Sequence, residues 1–240
     1  MTQGATRAAR RAYENVTVEM GDGGFAVRLD DKPLKTPGGR AVVVPWGELA
    51  EAIAAEWRAQ GAKPDMSALS MTRIAATALD RIPSRRPSVI DELLAYAETE
   101  LVCHRADGPP ALVARQLAVW QPLLDWLAQQ FDAPLAVTSG VLPRAQRETS
   151  LKALRHLLER LDDLSLAGLG VAVASSGSLV IGLAMLERRL DAAQAFDAAE
   201  LDATFQIEQW GEDSIAAQRR AELRAELETA AKFIGFRQPA

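Results

Sequence analysis

The stretch VTVEMGDGGFAVRL, residues 16–29, decides the fold of the first part of the chain. Two runs that alternate apolar and polar residues, VTVEM and FAVRL, enclose the glycine-rich segment GDGG. Such alternation is typical of half-buried strands, and a short glycine-rich segment between two alternating runs predicts a tight turn. Residues 16–29 are therefore predicted to form a β-hairpin.

Further strand and helix signals follow the hairpin. The segment KPLKTPGG, residues 32–39, is rich in turn-forming residues and leads into a third apolar run, AVVV, which ends at Pro45. The next segment, WGELAEAIAAEW, predicts a helix because Leu49, Ile53 and Trp57 recur every four residues. This part of the chain thus predicts a small sheet followed by one helix.

From about residue 65 the apolar pattern is helical almost throughout. Pro83 and Pro87 mark the boundary between two predicted helices, over about residues 72–80 and 88–102. Apolar residues at spacings of three and four predict three further buried helical seams. The seams comprise Val113, Leu117, Trp120, Leu124, Leu127 and Phe131; Leu151, Leu154, Leu158 and Leu161; and Leu223, Leu227 and Ile234.

Strands and helices are thus segregated along the chain, which is the pattern of an α+β protein and not of a doubly wound parallel sheet. A small N-terminal β-sheet module precedes a larger, mostly α-helical module. The predicted organisation is a flexible N-terminal arm over residues 1–12, a β-rich domain over 13–64 and a helical domain over 65–240.

Composition and charge restrict the classes of function. The 27 Lys and Arg against 32 Asp and Glu give a net charge of −5, which argues against a broad nucleic-acid surface. The apolar run LGVAVASSGSLVIGLAML, residues 169–186, is divided by residues 175–178 into pieces too short to cross a bilayer about 30 Å thick. No secretory signal pattern opens the chain, and a single cysteine fits a reducing compartment. We expect a cytoplasmic protein without membrane insertion.

The stretch ETELVCHR, residues 98–105, contains the single cysteine and one of the two histidines, which suggests a catalytic or metal site. Cys103 and His104 are adjacent, so their side chains point in different directions and cannot easily share one ion. A Cys–His catalytic pair would need the distant His156, and no G-x-S-x-G elbow or phosphate-binding loop occurs. A packed, unreactive thiol is the favoured interpretation, with no metal and no cofactor.

Two other polar patterns have ordinary structural explanations. The segment SSGS, residues 175–178, opens an apolar helix and could cradle an anion, but serine capping of that helix is the favoured interpretation. Glu98 with Glu100, or Asp162 with Asp163, could act as acid–base pairs only if they were buried together, and solvated helix ends are commoner.

Three motifs occur in a fixed order along the chain. They consist of Thr99, Glu100, Cys103, His104 and Arg105; of Gln116, Trp120, Pro122 and Trp126; and of Gln206, Ile207, Trp210 and Gly211. With residues 13–16, 23–25, 34–37 and 56–57, these motifs resemble the assembly chaperones of the F1 part of ATP synthase. The specific family is the one that binds the free alpha subunit before it joins the beta subunit. The resemblance spans about residues 13–236, while His104 and the segment after Gly211 depart from the usual motifs.

The resemblance implies a binding function without catalysis. An unpaired alpha subunit exposes apolar surface that will later face its beta neighbours, and such surface promotes aggregation until it is covered. The implied role is to mask that surface reversibly, which needs no cofactor. The start of the chain resembles bacterial members, which act in the cytoplasm, whereas eukaryotic relatives are mitochondrial.

The segment LDATFQIEQWGED, residues 201–213, is the predicted partner-binding helix. An apolar stripe predicted to pack inward comprises Phe196, Ala203, Ile207 and Trp210. Carboxylates beside an apolar edge suit a partner surface rich in arginine or lysine. The resemblance implies an acidic residue at the position of Asp202, which is therefore the first candidate. The full set of predicted partner contacts is Asp202, Glu208, Glu212, Gln209, Glu100 and Arg105, of which Glu100 and Arg105 have helix-end orientation or local pairing as the alternative.

Two alternative functions remain open. One is a small-molecule enzyme that uses Cys103 and His104, and the other is a general holdase that protects many unfolded clients. A monomer is the expected state, because no long exposed heptad run predicts a coiled coil.

Overall fold

The computed structural model describes residues 11–139 and 144–237. Its contacts divide the chain into two compact units. The first comprises the residues up to Arg81 together with those from Phe236 onward, and the second runs from Ile82 to Gly235. This division lies 17 residues beyond the boundary placed after residue 64 by the sequence patterns. Residues 1–10 of the predicted arm lie outside the described residues, while the Arg11 side chain donates a 2.7 Å hydrogen bond to the carbonyl of Gln60.

The first unit is built on the predicted hairpin. Strands β1 (Val16–Gly21) and β2 (Gly24–Leu29) pair antiparallel, with Val16 opposite Leu29. Two short strands, β3 (Lys32–Pro33) and β4 (Val43–Val44), also pair with β2, so the segment predicted as a turn contains strand β3. Gly24 has a φ of +118°, and a Cβ at this position would lie 2.6 Å from the carbonyl oxygen of Val44. The turn therefore requires glycine at this position.

Helix α1 (Gly47–Arg58) covers this sheet with an apolar face that includes Leu49 and Ile53. A 3₁₀ turn (Met66–Ala68), helix α2 (Ser70–Ala76) and a π-helical turn (Thr77–Arg81) complete the unit.

Glu56 links α1 to the start of α2. Its carboxylate accepts hydrogen bonds from the backbone nitrogens of Met71 at 2.6 Å and Thr72 at 3.0 Å. The first N–H groups of a helix have no partner within the helix, so this contact stabilises α2 from outside. It also places residues after 64 in the first unit.

The second unit is mostly helical. Its elements are α3 (Ile82–Glu98), a 3₁₀ turn (Leu101–Cys103), β5 (His104–Arg105), α4 (Pro110–Phe131), β6 (Thr138–Ser139), α5 (Glu148–Glu159), α6 (Asp163–Ser176), α7 (Leu179–Leu186), α8 (Ala192–Ala199), α9 (Leu201–Trp210) and α10 (Ser214–Gly235). Strands β5 and β6 form a short parallel pair. The predicted fold class, a small sheet followed by a larger helical part, is confirmed.

The long apolar run forms two packed helices, α6 and α7, as the sequence predicts. Gly177 ends α6 with a φ of +69°, and the Ser178 hydroxyl caps α7 by accepting a 3.0 Å hydrogen bond from the nitrogen of Ile181. Serine capping is therefore confirmed. Among the described helices, none combines the length and the apolar character needed to cross a membrane.

Some helix predictions need correction. Helix α3 ends at Glu98 and not at residue 102, because the chain turns there into the 3₁₀ segment. Helix α4 continues through Pro122 without interruption. Leu117, predicted in a buried seam, is 58% exposed, because the face of α4 on which it lies has no packing partner among the described residues.

Candidate functional site

Helix α9 turns a different face toward the core than the sequence predicts. Leu201 and Phe205 are its buried residues, whereas Ala203 and Ile207 are half-buried. Trp210, on the stripe predicted to pack inward, is 79% exposed, so that prediction is wrong for Trp210. The physical reason is that α9 packs against α4 and α8 through the face of Leu201 and Phe205, whereas Trp210 lies on another face at the end of the helix. An apolar ridge on α9, formed by Ala203, Ile207 and Trp210, therefore faces solvent to an increasing degree along the helix.

A second exposed apolar residue, Ile215, lies at the start of α10. Gly211 ends α9 with a φ of +83°, a conformation that favours glycine and explains its place directly after Trp210. The Asp213 carboxylate then accepts 2.9 Å hydrogen bonds from the nitrogens of Ile215 and Ala216 and caps α10. Ile215 is 81% exposed. Sequence reasoning missed Ile215, although its position two residues after Asp213, a typical helix-capping residue, could have indicated an exposed first turn.

Asp202 lies beside this ridge and is held by a buried glutamine. The amide nitrogen Nε2 of Gln116 donates to Oδ1 of Asp202 at 2.8 Å, while Oε1 of Gln116 accepts from the nitrogen of Ala106 at 2.9 Å. Within residues 11–139 and 144–237, no cation lies within ion-pair distance of Asp202. The half-buried carboxylate therefore has acceptor capacity left for a group outside the chain.

Arg105 lies close enough to Asp202 for the two charges to interact. It donates a 2.7 Å hydrogen bond to the carbonyl of Gln116, and its guanidinium lies 5.4 Å from the centre of the Trp120 ring. Burial lowers the pKa of Arg105, while Cys103 and Asp202 oppose that shift. The Nε atom of Arg105 is buried and has no acceptor in the part of the chain that the structure describes. The structure thus brings Arg105, Gln116 and Asp202 together, as a local polar network beneath the surface of α9.

The other two predicted acids, Glu208 on α9 and Glu212 directly after it, are already paired with arginines of this chain. Both carboxylate oxygens of Glu208 accept hydrogen bonds from Arg115, at 2.9 and 2.8 Å, and these bonds lower the pKa of Glu208. Glu212 lies 3.1 Å from Arg220, which also pairs with Glu200 at 2.7 Å. A partner arginine or lysine would therefore compete with Arg115 and Arg220 at these two positions.

Comparison with known proteins supplies the family. A family model described as "ATP12 chaperone protein" matches residues 10–128. The crystal structure of Atp12 from Paracoccus denitrificans is 37% identical in sequence, with a TM-score of 0.90 over 96% of this chain and 99% of that one. A structure of an aspartate-to-lysine mutant of that protein matches equally well, over 95% and 97% of the two chains, also at 37% identity and a TM-score of 0.90.

The chain belongs to the ATP12 chaperone family. A more distant relative is "Protein atp12, mitochondrial" of Schizosaccharomyces pombe, 22% identical over 214 residues that cover 84% of this chain and 74% of the relative. The predicted membership in the ATP synthase assembly chaperones is thereby confirmed.

Several motif residues that carry the ATP12 resemblance fix the packing of the helices. Trp120 is buried and donates a 2.8 Å hydrogen bond from Nε1 to the carbonyl of Ala198, which joins α4 to α8. Trp126 packs edge-on against Phe131, with ring centres 5.3 Å apart. Of the tryptophans in the second and third motifs, Trp210 alone is strongly exposed among the described residues. A role in contact with another protein therefore fits Trp210 better than Trp120.

The position of Glu100 contradicts the prediction that this residue contacts a partner protein. Its side chain is 0% exposed, and it accepts hydrogen bonds from the first backbone nitrogens of α7, those of Leu179 at 3.0 Å and Val180 at 3.2 Å. A partner protein cannot reach a carboxylate at this depth. The alternative interpretation, orientation of a helix end, describes the position of Glu100.

Cys103 is placed as an unreactive thiol and not as a nucleophile. It is buried, and burial together with the nearby Glu100 raises the pKa of the thiol to about 12. Since the thiolate is the nucleophilic form, a raised pKa suppresses reactivity. His156 is exposed and lies 3.3 Å from Glu159, and no hydrogen bond joins it or His104 to Cys103 in the described part of the chain. Within the same residues no group of three His, Cys, Asp or Glu side chains is arranged to hold a metal ion.

Proposed function

We propose that this ATP12-family chaperone binds the free alpha subunit of F1 and masks its apolar subunit interface until the beta subunit takes its place. The supporting observation is the exposed ridge that ends in Trp210, which is 79% exposed although large aromatic side chains are commonly buried. A solvent-facing tryptophan, followed five residues later in the chain by a second exposed apolar residue, Ile215, suits a partner surface that is itself apolar.

The polar residues around the ridge supply orientation. We propose Asp202 as the first polar contact, because among Asp202, Glu208 and Glu212 it alone lacks a cation within ion-pair distance in the described residues. Gln209 is exposed at the C-terminal end of α9, directly before Trp210, and is proposed as a second contact. Glu208 and Glu212 would contribute only if the partner replaced Arg115 and Arg220.

Arg105 takes an indirect part in this proposal. Its hydrogen bond to the carbonyl of Gln116 fixes the backbone of the residue whose amide holds Asp202. We therefore propose that Arg105 positions Asp202 and does not itself contact the partner. The proposed setting is the bacterial cytoplasm, with the chaperone acting as a monomer.

The test is a pull-down of this chain against separately produced F1 alpha and beta subunits, with Trp210→Ala and Asp202→Asn as variants. Truncating a central aromatic contact commonly costs about 2–4 kcal/mol, which corresponds to a loss of roughly 30- to 1,000-fold in affinity. Asp202→Asn preserves an oxygen for the Gln116 hydrogen bond and removes only the charge. Met20→Ala is the matched control, because Met20 is 80% exposed and lies on β1 in the other unit.

The outcomes separate the function from the surface. Retention of alpha alone, weakened in Trp210→Ala and unchanged in Met20→Ala, supports both. Equal retention of alpha by all variants keeps the function and refutes the proposed surface. Retention of neither subunit refutes the function, and equal protection of unrelated aggregating proteins at the same stoichiometry supports a general holdase.

A further inference from the structure

Glu100 occupies an unusual place for a carboxylic acid. It lies between α3 and the 3₁₀ turn Leu101–Cys103, and its side chain enters the space at the N-terminus of α7. The side chain is fully buried. Helix α7 consists of LVIGLAML, whose eight residues are all buried and carry no ionisable side chain. The carboxyl group therefore lies in an apolar environment from which water is excluded.

The contacts of Glu100 are all hydrogen-bond donors without charge. The Ser178 hydroxyl and, at 3.4 Å, the nitrogen of Val102 donate to Oε1. The nitrogens of Leu179 and Val180 donate to Oε2 at 3.0 and 3.2 Å. These bonds satisfy the first N–H groups of α7, which a helix cannot satisfy itself. Glu100 thereby fastens the turn after α3 to the start of α7.

No cation compensates the charge that Glu100 would carry when ionised. Arg105, the nearest arginine in sequence, donates to the carbonyl of Gln116 and packs over Trp120, and no ion pair to Glu100 occurs in the described residues. In the described residues the Cys103 thiol interacts with the Glu100 carboxyl, whereas Glu98, two residues earlier at the end of α3, is exposed. Ionisation therefore adds an uncompensated charge to an apolar site.

The balance of these effects favours the neutral acid. Burial raises the pKa of Glu100 to about 7, although the hydrogen bonds from Ser178 and from the backbone of residues 102, 179 and 180 oppose the shift. When the carboxyl is protonated, the Ser178 hydroxyl can rotate and accept the acid proton, because a hydroxyl both donates and accepts. The backbone N–H groups of α7 can still donate to the other oxygen. The network can thus be satisfied in the neutral state.

We propose that Glu100 is a protonation-linked clamp: the folded arrangement in which it joins the turn after α3 to the buried helix α7 is most stable when its carboxyl group is neutral and less stable once this group is ionised in its buried site. Helix α7 packs against α4 and α8, the helices that adjoin α9. Loosening of the clamp therefore acts on the elements that support the α9 surface. The clamp is independent of the identity of the partner protein.

The sign of the pH effect follows from the two states of the group. In the unfolded chain Glu100 has the ordinary pKa of 4.5, and in the folded chain its pKa is raised to about 7. The contribution to stability is fully present below about pH 4.5 and is lost as the pH rises through 7. A difference of about 2.5 in pKa corresponds to a change of roughly 300-fold in the unfolding equilibrium constant.

The first test compares the unchanged chain with Glu100→Gln and with the control Glu98→Gln. Glutamine has the same shape, cannot ionise, and can accept from the α7 N–H groups while its NH₂ donates to Ser178. Urea unfolding followed by circular dichroism between about pH 4.5 and 8 gives the equilibrium constants. Over this range we expect the constant of the unchanged chain to rise about 140-fold relative to Glu100→Gln, because half of the Glu100 carboxyls of the unfolded chain are already ionised at pH 4.5, and Glu98→Gln to follow the unchanged chain. A ratio that varies less than about fivefold over this range overturns the proposal.

A second measurement needs no variant. The carboxyl carbons of the chain, labelled with ¹³C at glutamate, can be titrated by NMR in the folded protein. We expect one glutamate signal with a midpoint near 7, well above the ordinary glutamate range. If every glutamate signal titrates below about pH 5.5, Glu100 is ionised throughout the neutral range and the clamp does not exist.

Discussion

Gly182 allows α6 and α7 to approach each other closely, and Gly182→Ala tests that approach. A Cβ at residue 182 would lie 2.5 Å from Cγ2 of Val173 and 3.2 Å from Cδ1 of Leu169, both buried on α6. It would also lie 3.3 Å from the backbone nitrogen of Val173. Valine is nearly confined to one rotamer in a helix, so its side chain cannot rotate away, and the two helices must separate.

The expected magnitude follows from two opposing effects. Adding a methyl group to a packed core commonly costs about 1–3 kcal/mol, whereas alanine is favoured over glycine within a helix by up to about 1 kcal/mol. The free energy of unfolding of Gly182→Ala should therefore fall by about 1–2 kcal/mol. Urea unfolding followed by circular dichroism at the helix band, with the slope compared between variants, measures this difference.

The control for this prediction is Gly170→Ala. Gly170 also lies within α6, but a Cβ at this position meets no atom within 4 Å. This variant should keep its stability or gain about 0.5–1 kcal/mol from helix propensity alone. A Gly182→Ala protein as stable as Gly170→Ala would refute the reasoning, because it would show that α6 and α7 can separate at no cost.

Two further predictions concern single side chains. Cys103 should resist alkylation by iodoacetamide at about pH 8 in the native chain and react once urea unfolds the chain, because burial raises the pKa of its thiol. The Cys103→Ala variant should retain partner binding. Rapid alkylation of the native protein, or loss of binding in a folded variant, would contradict the assignment of an inert thiol. Glu56→Ala should lower the free energy of unfolding by about 1–2 kcal/mol, because the N–H groups of Met71 and Thr72 lose their acceptor. Glu51→Ala, an exposed position on the same helix, is the control, and equal losses in both variants would contradict the capping role.

The features predicted well from sequence depend on local patterns. The hairpin β1–β2 follows from alternation around a glycine turn, and α1 follows from a four-residue apolar repeat. The extent of the first unit depends instead on contacts between segments distant in sequence, such as that of Glu56 with residues 71–72, which no local pattern shows. The apolar pattern of the sequence becomes helical almost throughout from about residue 65, whereas the first unit continues to Arg81.

The polar residues of the candidate site show the same limit. Sequence reasoning selected Asp202 and Arg105, which the structure brings together through Gln116, but it did not assign Gln116 this linking role. It also treated Glu100 as a surface acid, since charged residues are rarely buried without a partner. The partners of Glu100 are Ser178 and the start of α7, almost 80 residues away along the chain. Only the folded chain shows that a helix N-terminus lies in front of this carboxylate.

The error at Trp210 has a more instructive cause. Periodicity identifies which residues of α9 share a stripe, but a ten-residue helix has several candidate stripes, and only the neighbouring helices decide which one is buried. Leu201 and Phe205 fill the core position, which leaves Ala203 and Ile207 half-buried and Trp210 exposed in the part of the chain that the structure describes. Apolar periodicity shows that a surface favours burial, and it does not show whether the covering surface belongs to the same chain. For a chaperone, an apolar stripe that sequence assigns to the core and the fold leaves exposed is where a client would bind, and this is the basis of the surface proposed on α9.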